Sequence, residues 1–149
     1  MLEIYIDADA CPVKDETVRV ALRHSMKVIM VSDGGVRPHP SALVEVIVVA
    51  SGADAADDWI AERVGPQDIV VTNDIPLADR CIKAGACALR PNGEAFTLDS
   101  IGMALATRDL MAGLRETGTV TGGPRPFSKQ DRSHFLNTLE TTVQAAKRG

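Results

Sequence analysis

Residues 2–13 of the chain read LEIYIDADACPV, and this stretch decides the fold. Residues 2–6 are rich in β-branched and aromatic side chains, which favours a short strand. Asp7 and Asp9 follow that strand, and Pro12 then stands in the first turn of a predicted helix, where its missing N–H costs nothing. The stretch therefore predicts a strand that passes through an acidic turn into a helix.

The same order recurs at residues 69–77 (IVVTNDIPL), where a strand and a polar turn precede another proline. The stretch at 43–49 is almost continuously apolar, as a parallel strand covered on both faces is expected to be. Strands alternating with helices at this spacing predict an α/β fold, with three layers, α/β/α, around a mainly parallel sheet. The remaining predicted elements are strands at 26–31 and 87–89 and helices at 54–64, 100–115 and 128–147.

Length and charge limit the possible organisation. The chain has 149 residues, which predicts one domain over 1–149, with residues 117–149 as a C-terminal loop and helix appended to it. Residues 1–116 carry 11 basic and 18 acidic side chains, whereas residues 117–149 carry 5 basic and 2 acidic ones. Such an acidic body does not bind nucleic acid by bulk charge. It can still meet phosphate if a divalent cation lies between them.

Several protein classes are disfavoured by composition. The apolar runs are too short for a transmembrane helix, and the first residues lack the basic and apolar regions of a signal peptide, so a cytoplasmic location without a membrane partner is expected. Three cysteines without a CxxC pair argue against a disulfide framework or a zinc site. Aromatic residues make up 3% of the chain, a poor supply for stacking on unpaired bases.

Carboxylates stand at the ends of predicted strands. Asp7 and Asp9 are two residues apart in extended chain and so point to one side, and Asp74 follows the fourth strand. Open parallel sheets bind ligands beyond the carboxyl ends of their strands, where the strand order reverses. If the first and fourth strands are neighbours there, these side chains converge. Converging carboxylates repel one another, and an oxygen-preferring cation such as Mg²⁺ or Mn²⁺ relieves the repulsion.

The second predicted helix adds two more aspartates to this set. Asp54 and Asp57 are three residues apart and share a helix face. Asp57 borders the apolar stripe of that helix, whereas Asp58 points nearly opposite and is expected to be a solvated charge. The candidate metal ligands are therefore Asp7, Asp9, Asp54, Asp57 and Asp74.

Helix capping explains part of the same pattern. Asp9, Asp54 and Asp74 each stand just before a predicted helix, where an aspartate accepts from backbone N–H groups. Asp7 ends an apolar strand and caps nothing obvious. From the residues alone, a metal site and a set of caps stand equally open.

Four motifs in fixed order together resemble those of the bacterial YaiI/YqxD family, which is grouped by resemblance with PIN-like domains. The resemblance extends over nearly the whole chain. The motifs are Asp7-Ala8-Asp9-Ala10-Cys11-Pro12, Gly52-Ala53-Asp54-Ala55-Ala56-Asp57, Thr72-Asn73-Asp74-Ile75-Pro76-Leu77-Ala78, and Thr121-Gly122-Gly123-Pro124 followed by Asp131-Arg132.

This resemblance implies a PIN-like fold and a metal-dependent ribonuclease. It gives the catalytic roles to Asp7, Asp57 and Asp74, with Asp9 and Asp54 beside them. Typical PIN nucleases often carry an acidic residue in the first helix facing the site. Asp15 and Glu16 lie near that place, although no matched motif includes them.

Several residues are candidates for contacting the phosphates of a substrate, and each has a plainer alternative. Backbone N–H groups near Gly122 and Gly123 suit a phosphate, but a tight connector needs the same residues. Arg132 can bind phosphate or pair with the acidic body, and Arg37 can equally be a solvated loop arginine. The full set is Arg37, Thr72, Gly122, Gly123 and Arg132.

The expected function is hydrolysis of RNA phosphodiesters by water activated on Mg²⁺ or Mn²⁺. One alternative is a non-catalytic PIN-like module that binds RNA or protein. Another is a phosphatase of the haloacid-dehalogenase type, which the Asp7-x-Asp9 pattern fits and the early position of the Asp57-Asp58 pair does not. Cys11 lacks an arginine six residues on, so we expect a buried thiol rather than a nucleophile.

Overall fold

A computed structural model of the chain describes residues 2–8, 11–34, 40–49, 55–103, 106 and 127–148. Five parallel strands form one sheet, with helices on both faces, which confirms the predicted α/β/α layers. The strands are β1 (Glu3–Asp7), β2 (Lys27–Ser32), β3 (Val44–Val48), β4 (Ile69–Val71) and β5 (Cys87–Leu89). The helices are α1 (Lys14–Arg23), α2 (Ala55–Arg63), α3 (Ile75–Lys83) and α4 (Lys129–Arg148), and residues 98–103 are also helical.

The alternation of side chains along the strands builds two cores. In β1, Ile4 and Ile6 pack against the face that α1 and α4 cover, whereas Tyr5 packs against the face that α2 and α3 cover. This follows from the two-residue period of a strand. Both faces of the central strand are therefore apolar from Ile4 to Ile6, and the next charged side chain comes where the strand ends, at Asp7.

The order of the strands creates a switch point beside β1. The sheet runs β3-β2-β1-β4-β5, so the chain first builds outward on one side of β1 and then returns to build on the other. β1 pairs in parallel with β4 in the register Ile6↔Val71, which places the residues after each strand side by side. The condition set by the sequence, that the first and fourth strands be neighbours, is met.

The start of α1 and the setting of β3 differ from what the sequence predicts. α1 begins at Lys14 rather than at Cys11-Pro12, because the first helical hydrogen bond runs from the N–H of Thr17 to the carbonyl of Val13. β3 is parallel to β2 as predicted, but it lies at a sheet edge, with 68% of Val48 exposed. An almost continuously apolar run therefore indicated parallel pairing here without indicating a central position.

The last helix belongs to the main core. Phe135, Leu139 and Val143 are fully buried at four-residue spacing and pack with the strands and α1. Ser128 and Asp131 each bond the backbone N–H of the other, which fixes the start of the helix. Among the helices that the structure describes, none is both long and apolar enough to cross a membrane.

Candidate functional site

A cavity of about 230 Å³ opens at the carboxyl ends of β1 and β4. It lies at the switch point of the sheet, where α/β proteins bind their ligands. Its walls come from the residue that ends β1, the turn between β4 and α3, the turn before α1 and the turn after β5. The lining residues are Asp7, Cys11, Thr72, Asn73, Asp74 and Pro91.

Thr72 joins the two strand ends on which the cavity is built. Its hydroxyl donates to Oδ2 of Asp7 at 3.1 Å and accepts from the backbone N–H of Asp74 at 2.9 Å. Thr72 is 2% exposed, whereas Asp7 and Asp74 are half-buried and border the cavity. The hydroxyl thus fixes the positions of both carboxylate-bearing residues at once.

Asp74 is both a helix cap and a cavity residue. Its backbone is extended, with φ −80° and ψ 111°, and its Oδ1 accepts from the N–H of Leu77 at 2.8 Å at the start of α3. Its Oδ2 makes no hydrogen bond to the residues that the structure describes. The predicted cap is confirmed, and one carboxylate oxygen remains available to a ligand. Capping and ligand binding are therefore compatible at this residue.

Cys11 contributes an unreactive thiol to the cavity wall. It is 7% exposed, and burial, with a smaller contribution from the carboxylates of Asp7 and Glu16, raises its pKa to about 11. Lys14 acts in the opposite direction, and its ammonium donates to the carbonyl of Ala8 at 3.2 Å. A thiol protonated at neutral pH is not a nucleophile, as the sequence predicted.

The two aspartates of α2 differ as predicted, although neither lines the cavity. Asp58 pairs with Arg80 at 2.8 Å and is a surface charge. Asp57 is half-buried and close enough to Arg80 and Cys81 to raise the pKa of both. Its assignment as a metal ligand stays a prediction, because Asp57 is not among the residues that line the cavity.

Other candidates lie outside the described residues: Asp9, Asp54, Arg37, Gly122 and Gly123. Within the described ranges, no group of three or more His, Cys, Asp or Glu side chains lies close enough to hold a metal ion. The carboxylates that the structure does bring to the cavity are those of Asp7 and Asp74.

Arg132, a candidate phosphate ligand, pairs with Glu16 of α1 through its Nη1. The same nitrogen lies 3.4 Å from the carbonyl oxygen of Pro12, the residue after Cys11. Arg132 therefore pairs with the acidic body, and the pair stands next to the cavity wall; its role as a phosphate ligand stays a prediction.

Sequence comparison identifies the family of the chain that carries this site. The family model described as the uncharacterised YaiI/YqxD family matches residues 5–145. The chain belongs to this family. The matched range includes every residue that lines the cavity.

Relatives of this YaiI/YqxD protein match it from end to end. A UPF0178 protein of Parvibaculum lavamentivorans is 63% identical over 148 residues, covering 99% of this chain and 97% of the relative. One from Bradyrhizobium sp. strain ORS 278 is 56% identical over 147 residues, covering 99% and 90%. One from Rhodopseudomonas palustris strain CGA009 is 57% identical over 148 residues, covering 99% and 94%.

Sequence reasoning missed two cavity residues, Asn73 and Pro91. Asn73 is exposed and stands between Thr72 and Asp74, so its place in a strand-end turn was the signal that could have found it. Pro91 is buried in a turn that was predicted without a ligand role. It reaches the cavity because β5 lies beside β4, which sequence spacing alone did not establish.

Proposed function

We propose that this YaiI/YqxD protein is a metal-dependent hydrolase of RNA phosphodiesters, with its active site in the switch-point cavity. The observation that carries the proposal is that Asp7 and Asp74, 67 positions apart in sequence, line one cavity and are tied to a single hydroxyl. An enzyme that hydrolyses phosphodiesters needs oxygen ligands at a recess open to substrate, and this site has both.

The donor set suits a hard divalent cation. Carboxylate oxygens from Asp7 and Asp74 and the amide oxygen of Asn73 are the ligands that Mg²⁺ and Mn²⁺ prefer. Mg²⁺ commonly takes only one or two carboxylates and keeps several waters, so two carboxylates suffice. Asp57, and Asp9 and Asp54 outside the described residues, are the further ligands that the sequence predicts. When bound, the cation would neutralise charge on the phosphate and lower the pKa of a water molecule.

The residues of the chain hold this site in order. Thr72 orients the Asp7 carboxylate through Oδ2, and Leu77 orients the Asp74 carboxylate through Oδ1. Fixed carboxylates lose less conformational entropy when they bind a ligand, because their rotamers are already set. Without a cation the carboxylates of Asp7 and Asp74 repel the phosphate that is to be cleaved, so RNA hydrolysis is expected to require Mg²⁺ or Mn²⁺, whereas phosphates bound outside the cavity do not depend on the cation.

The test is calorimetric titration with Mn²⁺ followed by a cleavage assay on labelled single-stranded RNA. Asp74→Asn keeps an oxygen that can cap α3 and removes the charge, so we expect weaker Mn²⁺ binding and loss of cleavage with the fold intact. Asp58→Asn is the matched control, since this carboxylate is 54% exposed and pairs with Arg80 at the surface.

Three results would overturn the proposal. Equal Mn²⁺ binding by wild type, Asp74→Asn and Asp58→Asn would mean that the cavity holds no cation. RNA binding without cleavage at saturating Mn²⁺ would favour the non-catalytic module. Hydrolysis of phosphomonoesters with a trapped aspartyl-phosphate at Asp7 would favour the phosphatase.

A further inference from the structure

We propose that Arg132 binds a phosphate of the RNA beside the cavity, and that buried Glu16 is the positioning residue that holds its guanidinium ready. The nature of the ligand rests on the proposed function. The placement of the two side chains does not, because it follows from the packing of α4 on α1.

Glu16 is a buried carboxylate that is only half satisfied. The residue is 7% exposed, one oxygen is paired with Nη1 of Arg132, and Oε2 has no hydrogen-bond partner among the described residues. A buried charge is costly unless it is paired, so this carboxylate holds its arginine firmly. The pair links residues 116 positions apart, at the point where α4 meets α1.

Arg132 is held by one edge and one face, which leaves its other edge open. Nη1 contacts Glu16 and the carbonyl of Pro12, and Cζ lies 5.2 Å from the centroid of the Phe127 ring. Nε and Nη2 make no hydrogen bond or ion pair with the described residues, and 43% of the side chain is exposed. A guanidinium presents its donors as a planar fork that suits the oxygens of a phosphate.

Arg132 lies next to a segment that forms part of the cavity wall. Pro12, which Arg132 contacts, directly follows Cys11 in the cavity wall. Lys14 adds a second positive charge on this side, through its bond to the carbonyl of Ala8, next to Asp7. The cations of Lys14 and Arg132 thus stand on the α1–α4 side of the cavity, where Glu16 pairs with Arg132, and the carboxylates of Asp7 and Asp74 stand at the strand ends. A phosphodiester chain that crosses the cavity has a place for one phosphate on each side.

The test is fluorescence anisotropy of a short labelled oligouridylate with the full chain in EDTA, over a range of KCl concentrations. Arg132→Gln is expected to raise Kd by about tenfold, the loss of one charged hydrogen-bonded contact. It should also reduce the slope of log K against log salt by about 0.7, the value for one phosphate contact to a single strand. Arg19→Gln, an exposed arginine of α1, is the control and should change Kd by less than about twofold.

The positioning role of Glu16 has its own readout. Glu16→Gln keeps the charge on Arg132, so the salt slope should stay at the wild-type value while Kd rises several-fold because the fork is no longer oriented. Tighter binding by this variant would mean that Glu16 merely neutralises the arginine, and would overturn its role. Arg132→Lys tests the same role if the Glu16→Gln variant does not fold. It should keep the salt slope and weaken RNA binding, because an ammonium lacks the planar donors of a guanidinium.

Failure of this inference is distinguishable from failure of the proposed function. The binding assay contains no divalent cation and needs no cleavage. The inference would be overturned if the Arg132→Gln variant bound RNA with the same Kd as the wild type, or if the wild type did not bind RNA. Either result would count against it even if Mn²⁺-dependent cleavage were found. Weakened binding by Arg132→Gln with no cleavage by the wild type would support the phosphate contact and overturn the hydrolase.

Discussion

Two concavities lie at opposite ends of the sheet, and they differ in chemistry more than in size. The cavity at the carboxyl ends has a volume of about 230 Å³ and holds two carboxylates, a hydroxyl and an amide. The groove at the amino ends of β4 and β5 is larger, about 420 Å³, and has no charged side chain among its lining residues. These are Gln67, Gly85, Cys87, Thr141, Thr142, Ala145 and Ala146.

This difference follows from the direction of a parallel sheet. Every strand enters from the groove end and leaves at the cavity end, so the turns that lead into helices collect at the cavity. Those turns carry the aspartates and threonines that cap helices and close turns. Volume alone would select the groove, whereas the convergence of polar groups selects the cavity.

The largest expected effect contrasts a glycine near each concavity. Gly93 has φ +94°, and a Cβ there would lie 2.7 Å from the backbone carbonyl carbon of His134. We expect Gly93→Ala to lower the free energy of unfolding by about 4 kcal/mol, from backbone strain and overpacking together. Gly85→Ala, at φ +93° with its nearest contact 3.3 Å from Pro66, should cost about 2 kcal/mol. Urea denaturation measures the free energy of unfolding of both variants. Equal losses of stability would show that α4 moves to accommodate the added methyl group at Gly93.

Next in size is the effect on cleavage of substituting a lining residue in each concavity. Asp7→Asn and Asp74→Asn should each slow Mn²⁺-dependent RNA hydrolysis by about 100-fold or more. If both serve one cation, the double variant should be little slower than either single one, because residues acting as a unit are not additive. Cys87→Ser in the groove should leave the rate unchanged. Fully multiplicative losses would indicate two independent roles.

A smaller effect is expected from a threonine at each place. Thr72→Val leaves the N–H of Asp74 without its acceptor, so we expect a loss of about 2 kcal/mol in the free energy of unfolding. Thr142→Val in the groove removes only a bond to the carbonyl of Thr138, and should cost less than about 0.5 kcal/mol. Thr72→Ser, which retains the hydroxyl, should recover part of the loss. A similar cost for both valine variants would contradict the bridging role of Thr72.

The smallest contrast compares a cysteine from each concavity. With its pKa raised to about 11, the Cys11 thiol is only about 0.1% ionised at pH 8, and it is buried. Cys87 is exposed. Alkylation of the folded protein by iodoacetamide at pH 8 should therefore modify Cys87 at least about tenfold faster, as measured by peptide mass spectrometry. Faster modification of Cys11 would revive a nucleophilic role for it.

The sequence predicted the layers and the central pair of carboxylates because both depend on local signals. The pattern of residues 69–77 predicts a strand, a polar turn and a helix in that order. This pattern correctly placed Asp74 as the cap of the helix. The convergence of Asp7 with Asp74 needed one further condition, the adjacency of β1 and β4, which the sheet order supplies.

What the sequence could not predict depends on long-range packing. The edge position of β3 is set by strand order, and an apolar run reads the same at the edge and in the middle. The Glu16–Arg132 pair joins the first helix to the last, so no spacing rule reveals it. The helical wheel placed Asp57 beside the apolar stripe of α2. Such a wheel locates a side chain relative to its own helix and not relative to the cavity.

The burial of Phe135, Leu139 and Val143 has a consequence for the synthesis of this protein. β1 and α1 leave the ribosome early, yet the apolar surface that they share with α4 is covered only when translation reaches the last of these residues. A nascent chain therefore carries exposed β1 and α1 side chains through most of its elongation, and an interruption before residue 135 leaves the part of this sheet face that α4 covers exposed.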